Sequence, residues 1–294
     1  MRDVGASVVA VVVDYHADLV LVACVDSLFS NDLRHVVVVE NGDAGSVPAT
    51  LLDRGVVVVS PGVNLGYGGG VNRGVAVAPP SEFILVSNPD IIVHDHAVDA
   101  LVAYLEEHSD VALVGPEVRR PDGTVYPSRR DFPNVWLAGL HAVLEPLWAK
   151  NPATARYRST KADGVVDWVS GACFLVRRDA FEAVGGFDER YFMFAEEMAL
   201  CWAMRERGFL VAGTSTAVVT HLEGVSRARA PRAMLIAHHR SALRFEVQTA
   251  RGWRRAMLPL ATMVLSVRLV LELLARPRRC RTGRIWAGLR VVCG

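Results

Sequence analysis

Three acidic residues each close a short apolar run: Asp14 after "SVVAVVV", Glu40 after "HVVVV" and Asp90 after "FILVSNP". A carboxylate delivered by the end of a buried strand can hold a hard divalent cation such as Mg2+ or Mn2+. Asp90 is the sharpest of the three, because Pro89 lacks an N–H and ends strand pairing just before it. His221, at the end of "FLVAGTSTAVVTH", adds a nitrogen ligand if the fold brings it near, and is otherwise a structural histidine. Glu196 and Glu197 follow the aromatic "YFMF" and open a helical stretch, where the helix dipole also favours negative charge. Only one of two neighbouring helix residues can point squarely into a cleft. The run "NLGYGGGVNRG", residues 64–74, fails the spacing of a dinucleotide fingerprint, since Val71 and Arg73 stand where a third glycine would be needed. A glycine-rich turn entering a helix can still let the backbone approach a diphosphate, with Asn64 and Asn72 adding amide hydrogen bonds. A plain turn with an asparagine cap is the other reading.

The elements that must position these residues alternate. "SVVAVVVDY" (7–15), "HVVVVEN" (35–41), "GVVVVS" (55–60) and "FILVS" (83–87) are β-branched and apolar throughout, as in strands covered on both faces. Helical stretches fall near 18–30, 68–78 and 98–108. The pattern predicts an α/β protein with a Rossmann-like, doubly wound, mostly parallel sheet, in which ligands bind outside the carboxyl ends of the strands. Residues 111–128 read as a strand and a hairpin around Pro121-Asp122-Gly123. Residues 167–209 read as a strand, a short helix, a Gly-Gly turn and a longer helix with Asp188 as its N-cap. Beyond 230 the pattern turns helical, which sets a domain at 1–226 and a helical C-terminal extension at 227–294.

The chain has 294 residues, 51% of them hydrophobic, and a net charge of +1 that conceals an asymmetry. From Arg227 onwards stand 15 arginines and no lysine against Glu246 and Glu272, a net of +13, while the preceding residues carry −12. A basic tail interleaved with Leu and Val rather than stacking aromatics favours an anionic membrane surface over nucleic acid. "MLPLATMVLSVRLVLELLA" (257–275) is interrupted by Pro259, Arg268 and Glu272, so it reads as a helix lying on a membrane or buried in the protein rather than crossing a bilayer. Five cysteines without a C-x-x-C spacing, and no secretory signal pattern, predict reduced thiols in a cytoplasmic protein.

Four stretches in order resemble motifs of the family 2 glycosyltransferases, which have the GT-A fold. They are "VVVVENGDAGS", "NLGYGGGVNRG", "SNPD" and "GGFDERYFMFAEEMALCW", and the resemblance spans residues 7 to about 221. "PDGTVYPS", "HAVLEPLWAKNP" and "AHHRS" narrow it to the actinobacterial rhamnosyltransferases of that family, which use dTDP-L-rhamnose and a polyprenyl-diphosphate-linked N-acetylglucosamine. The resemblance implies an inverting, metal-dependent transferase at the inner face of the cell membrane, with a nucleotide-diphosphate sugar as donor and a lipid-linked or polymeric glycan as acceptor. It implies that Tyr15, Glu40, Asn41, Asn64, Gly66, Asn72 and Asn88 line the nucleotide-sugar cleft. Asp90 and His221 would hold Mg2+ or Mn2+. Glu197 occupies the position of the family's catalytic Asp, beside Glu196, and Gly171, Asp188, His238 and His239 lie on the acceptor side. Ala199 and Ala203 stand where the family motif has Asp and Arg. A nucleotide-sugar-binding homologue without turnover is the second reading, and a sugar nucleotidyltransferase the third, although "VVVDYHADL" offers no basic glycine-rich loop.

Overall fold

The structure is a computed structural model that describes residues 4–17, 19–42, 44–132, 160–222 and 231–275. The family motif "HAVLEPLWAKNP" and the arginines beyond 275 lie outside the described residues.

Strands β1 (Val8–Asp14), β2 (His35–Glu40), β3 (Val57–Val59) and β4 (Phe83–Ser87) pair in parallel in the order β3-β2-β1-β4. Every residue of β1 and β4 is buried. The cause is visible in the period of two along β1. Val8, Ala10 and Val12 pack on one face with Leu21 and Leu28, whereas Val9, Val11 and Val13 pack on the other with Val71 and Phe187. Helices α1 (Val4–Ser7), α2 (Leu19–Ser30), α3 (Ala49–Leu52), α4 (Gly66–Val77) and α5 (Ala97–Glu107) connect this half.

The second half departs from simple alternation. Strands β5 (Ile91–Val93), β6 (Val111–Arg119), β7 (Arg129–Arg130), β8 (Gly164–Val166), β9 (Trp168–Val169), β10 (Cys173–Arg177) and β11 (Leu210–His221) follow, with helices α6 (Arg178–Ala183) and α7 (Glu196–Glu206) before β11. The main sheet reads β3-β2-β1-β4-β10-β6-β11-β5, with β8 on β11. Strand β10 enters antiparallel between β4 and β6, and β5 pairs antiparallel with β11. Two consequences bear on function. Cys173 pairs with Ser87, so the residues just before β10 arrive at the carboxyl end of β4. His221 pairs with Ile91, which sets it beside Asp90.

The anticipated hairpin is present: Arg120 N–H donates to Thr124 at 2.8 Å, and Gly123 turns with φ +82°. The long helix expected to start at Asp188 does not. Its first residue is Glu196, with Ala195 as N-cap. The Asp188 carboxylate instead accepts from the Arg190 N–H at 3.0 Å and from its guanidinium at 2.6 Å, which makes a turn of residues 188–190. Helices α8 (Pro231–Thr249), α9 (Trp253–Ala256) and α10 (Leu258–Ala275) complete the described chain, α8 against α7 and α10 against α8. No described helix is long and apolar enough to cross a membrane.

Candidate active site

Asp14, Glu40 and Asp90 lie along the carboxyl rim of the sheet, and all three are buried. Asp14 and Glu40 are register partners at the ends of β1 and β2. Their work differs. One oxygen of Asp14 accepts from the Ala17 N–H at 3.0 Å and so shapes the turn that leaves β1. Tyr15 sits in that turn, edge-on to His16. Glu40 binds its own chain with both oxygens: Ser46 and the Val47 N–H at one, the Ser60 hydroxyl at 2.5 Å at the other. Burial opposes the charge on Glu40, yet the Ser60 hydroxyl, the Val47 and Gly45 N–H groups and Ser46 outweigh it and hold the carboxyl at about 2. Glu40 therefore folds the 45–47 loop through its carboxylate.

The asparagines around the glycine-rich stretch bond to its backbone. Asn41 donates to the Gly66 carbonyl at 2.9 Å and accepts from the Leu65 N–H at 2.8 Å, while Asn64 accepts from the Gly66 N–H at 2.8 Å. Both amides thus fold the entry to α4. A Cβ on Gly66 would lie 2.1 Å from the Phe192 carbonyl oxygen, and its φ of +76° suits glycine alone. Further along, a Cβ on Gly74 would lie 2.5 Å from the Val11 side chain. These glycines bring α4 down onto β1 and onto the 187–192 segment. Asn72 follows suit: its amide donates to the Phe187 carbonyl and accepts from the Phe187 N–H, both at 2.9 Å. That clamp faces chain, not cleft.

At the centre of the rim the chemistry is open. Asp90 Oδ1 lies 3.2 Å from His221 Nε2, and both side chains are about nine-tenths buried. Tyr126 sets its ring edge against the imidazole. His221 Nδ1 is buried without a hydrogen-bond partner. Asn88 contributes backbone: its N–H donates to the Ala172 carbonyl at 2.8 Å, which ties the "SNPD" turn to the start of β10. One carboxylate and one imidazole make an open donor set, and no group of three metal-binding side chains occurs among the described residues. Such a pair fits a Mg2+ or Mn2+ ion that takes its other ligands from phosphate oxygens and water.

Glu196 and Glu197 open α7. Gly171 lies against the second of them: a Cβ there would touch the Glu197 side chain at 3.6 Å and the Tyr67 ring at 3.2 Å. Each glutamate has one buried oxygen without a hydrogen-bond partner among the described residues. Burial, then the neighbouring Glu197 charge, pushes the Glu196 carboxyl well above the usual carboxylate range. Burial also raises Glu197, but its own N–H and that of Gly171 act in the opposite direction. Sequence reasoning missed Tyr67, the one aromatic in the glycine run. Its hydroxyl donates to the Gly171 carbonyl at 2.5 Å. Burial, then the charges of Glu196 and Glu197, keep the phenol protonated.

The loop before α7 is held under strain. Phe194 and Ala195 are consecutive non-glycine residues with φ of +68° and +63°, a conformation that costs about 1–3 kcal/mol each. Helix α8 secures it: Ser241 Oγ donates to the Met193 carbonyl at 2.8 Å, and the buried Tyr191 hydroxyl donates to Gln248 at 2.7 Å. His238 packs edge-on against Phe194, and buried His239 contacts the Leu235 carbonyl on its own helix. His238 therefore supports the loop, and His239 is held within α8. Ala199, where the family motif has Asp, packs with Tyr191 and Phe245 in an apolar cluster that would bury a carboxylate.

A doubly wound sheet that gathers carboxylates and a histidine on its carboxyl rim defines a glycosyltransferase of the GT-A class. The family model described as glycosyltransferase like family 2 matches residues 6–242, and the chain belongs to that family. It is 38% identical over 238 residues to the N-acetylglucosaminyl-diphospho-decaprenol L-rhamnosyltransferase of Mycobacterium tuberculosis, covering 76% of this chain and 78% of that protein. It is 33% identical over 162 residues to the rhamnosyltransferase WbbL of Escherichia coli, covering 50% of this chain and 56% of that one. Two solved structures share the fold, each with a TM-score of 0.56. The mannosyltransferase PcManGT from Pyrobaculum calidifontis, in complex with GDP-Man and Mn2+, is 14% identical and matches over 92% of this chain and 76% of its own. GalNAc-T7 with UDP, GalNAc and Mn2+ is 13% identical and matches over 89% of this chain, which spans 55% of that longer protein.

Proposed function

We propose that this glycosyltransferase moves L-rhamnose from dTDP-rhamnose, with inversion, onto a polyprenyl-diphosphate-linked glycan acceptor at the cytoplasmic face of the membrane. The observations that carry the chemistry are the Asp90–His221 pair and the meeting of Tyr67 and Glu197 at Gly171, with Glu196 beside it. The mycobacterial relative, named for rhamnose transfer to a decaprenyl-diphosphate sugar, supports the choice of substrates.

In this reading the acceptor hydroxyl attacks the anomeric carbon as the bond from that carbon to the diphosphate breaks. Glu197 takes the hydroxyl proton, which suits the glutamate that the Gly171 N–H favours as carboxylate. Glu196 keeps its proton and avoids a second buried negative charge beside the first. Asp90 and His221 would hold a divalent ion, which when bound neutralises the departing diphosphate. Tyr15, Asn41, Asn64 and Gly66 shape the nucleotide side of the cleft, with Glu40 and Asn72 acting through the backbone they fix.

A donor screen that reads nucleotide release, with Mg2+ or Mn2+ and a polyprenyl-diphosphate N-acetylglucosamine, tests the reading. Release and product formation from dTDP-rhamnose are expected. Tight nucleotide-sugar binding without transfer would instead favour the homologue that binds and does not turn over, a reading motivated by Glu197 and Ala199 standing where the family motif has Asp.

A further inference from the structure

Among the described residues, helix α10 leaves one long face uncovered. Leu260, Met263, Val264, Val267, Val270, Leu271 and Leu274 are 38–77% exposed. At ~100° per residue these seven positions fall within an arc of about 120°. Ala261, on the other side of the helix, is buried, and α10 packs against α8. The uncovered side is therefore the one turned away from the protein. A stripe of Leu, Val and Met along 18 residues is too apolar to face water without a partner.

Charge decides which partner. Trp253, 64% exposed, stands just before the stripe beside the exposed Arg255, while Arg251 and Arg254 pair with Glu206 and Glu246 at 2.9 Å each. After the helix the sequence continues with Arg276, Arg278, Arg279 and Arg281. Arginine at both ends of an apolar face, with a tryptophan at one end, matches a bilayer surface with anionic headgroups. A second copy of the same face would bring these like charges together.

We infer that the exposed face of α10 docks flat on an anionic membrane and fixes the height of the active site above it. The link runs through α8, which packs on α10 and is bonded to the strained loop before Glu196 by Ser241 and Gln248. Docking there would present the cleft at a set distance from the headgroups, where the diphosphate of a lipid-linked acceptor lies. This orientation rests on the proposed acceptor class; the docking itself does not.

The test uses the full chain and the variant Val267→Glu/Leu271→Glu, two positions more than half exposed and therefore tolerant of charge in the folded state. Wild type is expected to sediment with vesicles of phosphatidylcholine and phosphatidylglycerol in equal parts, and at least about tenfold less with phosphatidylcholine alone. The variant should bind the mixed vesicles at least about tenfold more weakly at an unchanged melting temperature. Transfer to a short-chain, water-soluble acceptor should be equal in both proteins, so a failed transferase reading would show as no transfer by either. Equal vesicle binding by the two proteins overturns the inference. So does a wild-type dimer in sedimentation velocity that ignores vesicles and is lost in the variant, which would make the face a contact between copies.

Discussion

The Tyr67 hydroxyl donates to the Gly171 carbonyl at 2.5 Å, while the N–H of the same glycine faces the Glu197 carboxylate. One glycine, 104 positions after Tyr67, thus stands between the start of α4 and Glu197 at the start of α7. In the proposed mechanism Tyr67 positions Glu197 through Gly171.

Tyr67→Phe keeps the ring and removes the bond. A shift of Gly171 on the order of 1 Å costs roughly 10- to 100-fold in kcat. The acid limb of the kcat profile should move up in pH, with KM for the donor nearly unchanged. A merely structural role would lower the melting temperature and leave that limb in place.

Glu197→Gln should lose about 100-fold to 10,000-fold in transfer rate, the range of a general base, with nucleotide binding retained. Full activity in this variant would transfer the role to Glu196. The raised carboxyl of Glu196 makes a separate thermal prediction. Its protonated form is favoured in the folded state, so the stability it contributes is present at low pH and lost as pH rises through its raised value. Glu196→Gln should therefore gain melting temperature over wild type as pH rises from about 4 to 8.

Asp90→Asn should reduce transfer by at least about 100-fold and weaken Mn2+ binding measured by electron paramagnetic resonance without substrate. His221→Ala should act in the same direction, since the two side chains meet at 3.2 Å. Chelation should stop wild-type turnover and added Mn2+ restore it. Unaltered Mn2+ binding in both variants would remove this pair from the metal site.

Glu40→Gln should act on stability. The Glu40 carboxyl is held at about 2, below the ordinary 4.5, so its contribution is present above the ordinary range and lost as pH falls towards 2. At neutral pH the loss should be about 2 kcal/mol. The gap from wild type should close in acid, as followed by urea unfolding at several pH values. A donor KM change at full stability would support the nucleoside role.

Much of the sheet was legible because its signal is local. Consecutive valines in β1, β2 and β4 report strands covered on both faces, and each run ends at the rim where ligands bind. The rim acids, the hairpin at Gly123 and the C-terminal helices were readable for the same reason, as were the ordered motifs of the family. The packing role of "NLGYGGGVNRG" was not legible: a glycine written for a phosphate and a glycine written for a close helix–strand contact look alike in one chain. Only the atoms that a Cβ would strike, Phe192 and Val11, tell them apart.

By itself, then, the amino-acid order determined the alternating elements, the acids at strand ends, the basic and apolar C-terminus and the kinship with glycosyltransferases. Tertiary structure alone decided which polar groups remain available. It spent Glu40, Asn41, Asn64 and Asn72 on the chain itself, brought His221 to Asp90 through the antiparallel β5–β11 pair, and set Tyr67 against Gly171. The physical reason is sequence separation. Strand and helix patterns arise between neighbours a few residues apart, whereas a hydrogen-bond partner more than a hundred residues away leaves no periodic trace in the chain.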